Sequence, residues 1–189
     1  MAKTTLNNEL LQMMDDYKLF MQSPKSVVLP IVVSEPKKNH PKSKYYEAEL
    51  NATHPFGATV FDCEIRDRGF NSYSFQIRSD KFAKSVVLRF DEGDATHRNN
   101  APGIPLEEQS ISTPHFHKYN EAGYFIAYKN EELKQLAEVS LPLADGFDVF
   151  CREAKIDTTG YAVRIQEADA NGNLEMNLNQ PDPLAGVMF

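Results

Sequence analysis

Three short stretches of this chain hold most of the side chains able to do chemistry: Leu88-Arg89-Phe90-Asp91, Thr96-His97-Arg98-Asn99 and Pro114-His115-Phe116-His117-Lys118-Tyr119. Side chains two apart on a strand share a face, so Arg89 and Asp91 point together, as do His115, His117 and Tyr119. Antiparallel pairing of the first and third stretches would gather two imidazoles, a guanidinium, a carboxylate and a phenol on one sheet face. The middle stretch, leaving and re-entering nearby, would add His97 and Asn99. Three of the five histidines would then meet.

Such a set suits phosphodiester cleavage without a metal. Imidazoles titrate near working pH, so one of His97, His115 and His117 can accept a proton while another delivers one. Arg89 would clamp a phosphate bidentately and Tyr119 would donate to a developing oxyanion. Asp91 and Asn99 would serve as binding groups. The bland counterpart is a hydrogen-bonded polar surface in which Arg89 and Asp91 merely pair, a contact worth about 0–1 kcal/mol when exposed.

A divalent transition metal is the alternative cofactor. His115-x-His117 puts two imidazoles on one side of a strand, Glu121 follows, and His97 supplies a third imidazole from upstream. Three neutral imidazoles with a carboxylate can hold zinc or another first-row ion. The HxH and the following Glu resemble the first half of the cupin metal motif, although that motif's glycines and its later histidine are missing here. His40, in a lysine-rich stretch, and His54, before Pro55, read as solvated.

Composition narrows the partners. The chain has 189 residues, a length suited to one domain with its own core. Its net charge of −7 opposes the basic field on which nucleic-acid binders rely. The candidate partners are therefore RNA, met through a local patch, or a host protein. Cys63 and Cys151 form no CxxC pair and read as buried thiols, which fits a reducing, cytoplasmic compartment. The first residues hold no apolar leader. The longest apolar run, residues 27–33 with Pro30 inside, is far short of the roughly 20 residues of a membrane helix.

Several elements must position the polar cluster. Leu6, Leu10, Met13, Tyr17 and Phe20 recur at helical steps that Pro24 closes. The run 27–33 reads as an edge or bulged strand because of its proline. Residues 36–44, with four lysines and two prolines, read as an exposed loop. Phe61, Cys63 and Ile65, then Tyr73, Phe75 and Ile77, alternate with polar residues around a turn at 67–69, a half-buried hairpin. Leu88 and Phe90 continue the pattern, and a long irregular connection follows to Ser110. The spacing predicts a strand over 111–119, a short helix capped by Asn130, and another capped by Asp145 that carries Phe147, Phe150, Cys151 and Ala154. Asn171-Gly172 between alternating segments predicts a C-terminal hairpin.

The polar stretches resemble a family of small uncharacterised bacterial and phage-borne proteins. Its pattern is a strand ending Leu-Arg-x-Asp, then His-x-Asn, then Pro-His-x-His-x-Tyr, then an aromatic helix with a Cys and an Ile. Here these are Leu88, Arg89 and Asp91; His97 and Asn99; Pro114, His115, His117 and Tyr119; and Phe147, Phe150, Cys151 and Ile156. The likeness covers roughly residues 58–156, with a longer loop before Pro114 and an added segment after Ile156. It implies a shared polar cluster and a setting in mobile elements or defence, and it brings no activity of its own.

The resulting expectation is an α+β fold: a twisted, mostly antiparallel sheet with the N-terminal helix and the 147–154 helix on one face. Residues 1–157 would form the domain, 158–179 an appended β-hairpin, and 180–189 a flexible tail. The functional candidates are a histidine-based phosphodiesterase or ribonuclease, a metal-binding protein, and a non-catalytic interaction factor.

Overall fold

The computed structural model describes residues 6–37, 39–54, 56–66, 72–93, 96–136 and 140–168. Seven strands make one sheet: β1 (Glu35–Lys37), β2 (His40–Glu49), β3 (Thr59–Arg66), β4 (Tyr73–Ser79), β5 (Val86–Glu92), β6 (His115–Tyr119) and β7 (Phe125–Tyr128). They lie in the order β7-β6-β5-β4-β3-β2-β1, and every neighbouring pair is antiparallel. The sheet is thus a plain meander in which each strand sits beside its neighbour in the chain. Four α-helices lie among the described residues: α1 (Asn8–Gln12), α2 (Met14–Gln22), α3 (Glu131–Gln135) and α4 (Leu143–Ala154). The α+β expectation holds.

The period-two pattern explains the sheet. Cys63 pairs with Phe75, Phe75 with Phe90, and Phe90 with Phe116, so the apolar residues of four strands fall on one face. Their rings form a continuous layer, with Phe75 6.0 Å from Phe90 and Phe90 5.1 Å from Phe116. From α4, Phe147 and Phe150 descend onto this layer, 5.5 and 5.4 Å from Phe75. Gly146 permits that approach. A Cβ there would stand 2.0 Å from the Tyr73 hydroxyl, which donates to the carbonyls of Leu141 and Pro142.

The N-terminal segment closes the end of the sheet where β5 begins and β6 ends. It is two helices rather than one, broken at Met13, with Asn7 capping the first through the Leu10 amide. Tyr17 donates to the Val87 carbonyl and accepts from the Tyr119 amide, tying α2 to two strands. Buried Lys25 follows. Its ammonium donates to the carbonyls of Phe20, Ser23 and Ala154, so one cation serves the C-terminal ends of both α2 and α4.

Several local expectations need correction. Only Ile31–Val33 of the run 27–33 is a strand, beginning just after Pro30, and it pairs in parallel with Ile165–Glu167 in a separate two-stranded sheet. Tyr161 and Val163, expected in a hairpin arm, are exposed and outside any strand. The other arm, with Asn171-Gly172, and the expected tail lie outside the described residues, as does the turn at 67–69. The lysine-rich stretch mostly continues into strands, β1 and β2. Asp145 lies inside the first turn of α4, whose cap position is Pro142, while Asn130 caps α3 as expected.

Candidate metal centre

The register across β5 and β6 builds the site. His117 stands opposite Arg89 and His115 opposite Asp91, on the face turned away from the aromatic layer. At this pairing distance the side chains of facing residues touch. Nε2 of His115 lies 2.9 Å from Nε2 of His117, and that same His117 nitrogen lies 3.2 Å from Oδ2 of Asp91. Oδ1 of Asp91 is held from the other side by Nε and Nη2 of Arg89, at 2.9 and 2.6 Å.

His97 arrives from the long connection between β5 and β6. There His97–Arg98 pairs antiparallel with Ser110–Ile111, folding the connection back over the sheet. The His97 ring meets that of His117 edge to face, centroids 4.6 Å apart, and its Nε2 is buried without a hydrogen-bond partner. One nitrogen each from His97, His115 and His117 lies within 4.8 Å of the others.

Asn99 anchors this arrangement, and it does so structurally rather than as a ligand-binding group. Its side-chain amide accepts from the Ala127 amide and donates to the Ala127 carbonyl, both at 2.8 Å, so it pairs with β7 much as a further strand would. It also donates to the Glu108 carbonyl across the connection. One side chain therefore satisfies an edge strand and fixes the backbone two residues from His97.

Electrostatics separate the groups. Burial lowers the His115 imidazole to about 4, with neighbouring His117 pushing the same way. Burial followed by the His117 charge lowers His97 as well. For Asp91, burial works against ionisation, yet the hydrogen bond from His117 and the charge of Arg89 outweigh it. Its carboxyl stays well below the ordinary carboxylate range. At neutral pH Asp91 is anionic and His97 and His115 are neutral, the state in which each can donate to a metal.

No family model, curated protein or solved structure matches this chain. The site must therefore be read from its own atoms.

The expected residues divide into two groups. His97, His115, His117, Asp91 and Arg89 come together. Tyr119 does not: its ring packs against those of Tyr17 and Phe125, and its hydroxyl lies 3.4 Å from Asn7 Nδ2. Glu121 is also elsewhere, exposed in the turn after β6 and ion-paired with Lys18 at 2.8 Å. The carboxylate beside the histidines is Asp91. Two further neighbours escaped sequence reasoning. Phe125 stacks on His117 with centroids 5.5 Å apart, and Arg66 reaches within 3.8 Å of Asp91. The alternation that turns Cys63 and Ile65 to one face of β3 carries Arg66 to the other.

Proposed function

We propose that this chain is a divalent-transition-metal protein whose centre uses His97, His115, His117 and Asp91. The observation that carries the reading is the convergence of three imidazole nitrogens within 4.8 Å, two of them in contact at 2.9 Å. Two imidazoles bound side by side to one ion at about 2.0–2.1 Å hold their nitrogens roughly 3 Å apart. The buried, unpartnered Nε2 of His97 supports the same reading, since an orphaned polar atom in a site has a cost that a ligand removes.

The imidazole-rich set with one carboxylate suits zinc or another first-row divalent ion. Asp91 has one oxygen turned to the cluster and the other fixed by Arg89, so its orientation is set before any ion arrives. Phe125 on His117 restricts that ring in the same way. When bound, such an ion would supply Lewis acidity, and would activate a water only where one of the four donors gives way to it. Cys63 and Cys151 are buried free thiols pushed up by burial, in keeping with a cytoplasmic setting.

Metal-free phosphodiester cleavage is less well supported. In-line displacement needs an acid and a base flanking the reacting group, and the 2.9 Å contact between His115 and His117 leaves no room for phosphate between them. Arg89 already spends two donors on Asp91.

The test is metal content. Untagged protein, dialysed against zinc and then against buffer, should retain one ion per chain by elemental analysis. Retention of none, in a sample with a cooperative unfolding transition, would end the reading.

A further inference from the structure

At the opposite end of β6 from His115 a second site opens, independent of the histidine cluster. A cleft of about 510 Å³ lies between α2, the end of β6 and the last turn of α4, within the size range of small-molecule pockets. Met14 and Met21 of α2 supply apolar lining, with Tyr17 and Tyr119 beside them. Methionine is flexible and polarizable, so such a floor adapts to a flat or branched body.

The rim carries one more positive than negative side chain, in a chain of net charge −7. Lys18, Lys118 and Lys155 stand there with Glu121 and Glu153. Lys18 and Glu121 neutralise one another at 2.8 Å. The Glu153 carboxylate is occupied by the Tyr128 hydroxyl at 2.7 Å and by Asn130 at 3.0 Å. Lys118 sits over the Tyr128 ring, 4.1 Å from its centroid. Neither Lys118 nor Lys155 forms an ion pair among the described residues. With Lys18 and Glu121 paired, Lys118 and Lys155 stand against the single carboxylate of Glu153, which leaves one positive charge in excess beside an adaptable apolar floor.

We propose that this cleft binds a small amphipathic anion: a carboxylate, sulfonate or phosphate monoester carried on an aromatic or branched aliphatic body. The body lies on Met14 and Met21, and the anionic head lies between Lys118 and Lys155. This would be a ligand site separate from the metal centre, so its outcome does not depend on metal binding.

The probe is 1-anilinonaphthalene-8-sulfonate, titrated into the full chain whose methionine methyls carry ¹³C. Binding at one site should shift the Met14 and Met21 methyls together along one saturation curve. Lys118→Glu and Lys155→Glu should each weaken binding about fivefold, the effect of losing an interaction near 1 kcal/mol. Lys118→Gln and Lys155→Gln, which remove the charge without reversing it, should weaken it less. N-phenyl-1-naphthylamine, with the same rings and no sulfonate, should bind more weakly than the sulfonate. Unchanged Met14 and Met21 signals, lysine variants that bind like the parent, or equal affinity for the uncharged analogue would each overturn the proposal.

Discussion

Nε2 of His115 and Nε2 of His117 are in hydrogen-bond contact, 2.9 Å apart, although their backbones are two strand positions apart. A proton on one nitrogen leaves a lone pair on the other pointing at it, and Asp91 competes for the same proton from 3.2 Å away. Three electron-rich atoms therefore crowd around one hydrogen. A divalent ion would satisfy all of them at once, and burial makes that compensation large.

The ligand set predicts an ordering among variants. His115→Ala and His117→Ala each remove a donor fixed on a rigid strand and should abolish stoichiometric zinc retention. His97→Ala removes the donor from the connection and should weaken affinity by more than the roughly 10–100-fold expected for losing a supporting residue. Glu121→Ala should leave affinity unchanged, because Glu121 pairs with Lys18 instead. Competition with a chromogenic chelator measures all four. Equal affinity of parent and His117→Ala would sink the assignment.

Acid should unfold the metal-free protein through His115. Its folded value is about 4, against about 6.5 for an unfolded imidazole. Between those values the unfolded chain binds more protons, so stability is fully present above about pH 6.5 and falls as pH drops toward 4. The difference corresponds to roughly 3 kcal/mol at full effect. Asp91, also held low, adds a further loss at more acid pH. Urea unfolding at half-unit pH steps reads the slope, and His115→Gln should flatten it between pH 6.5 and 4. An unchanged slope in that variant would assign the acid lability elsewhere.

Much of the sheet was legible because apolar and polar residues largely alternate along its central strands. Phe61, Cys63, Phe75 and Phe90 have one side buried and one polar, and a single register satisfies all of them. The pairing of the Arg89 and His115 strands followed from the same alternation. What failed had non-local causes. Glu121 shares proximity in sequence with His117, yet a turn carries it to α2, and spacing alone does not record that turn. Asn99 reads as a polar loop residue, and only the position of Ala127 reveals that its amide completes a sheet edge. Residues 27–33 and 161–165 both look like strands, but each needs the other's register to decide which part pairs.

Gly146 gives a packing prediction. A glycine inside a helix ordinarily costs about 1 kcal/mol relative to alanine, so Gly146→Ala in an open site would stabilise α4. Here the new methyl would meet the Tyr73 hydroxyl, itself held by the Leu141 and Pro142 carbonyls. The expected result is a loss of about 1–3 kcal/mol, typical of overpacking, measured by chemical denaturation. A gain in stability would mean that Tyr73 moves aside freely.

Asn99 offers a separate test of how the connection is held. Its amide makes three hydrogen bonds, two to Ala127 and one to Glu108, and it is buried. Asn99→Ala leaves those backbone groups without partners, which should cost about 1–3 kcal/mol. It also frees the backbone that carries His97, while His115 and His117 remain on β6. Zinc affinity should therefore fall about 10–100-fold, as for other supporting residues, with both strand histidines still contributing. Asn99→Asp keeps the acceptor for the Ala127 amide but loses both donated bonds, so it should resemble alanine rather than the parent. The imidazole resonances, followed by NMR during zinc titration, should show His115 and His117 responding before His97 in the alanine variant. Simultaneous response of all three at parental affinity would mean that the connection is positioned by something other than Asn99.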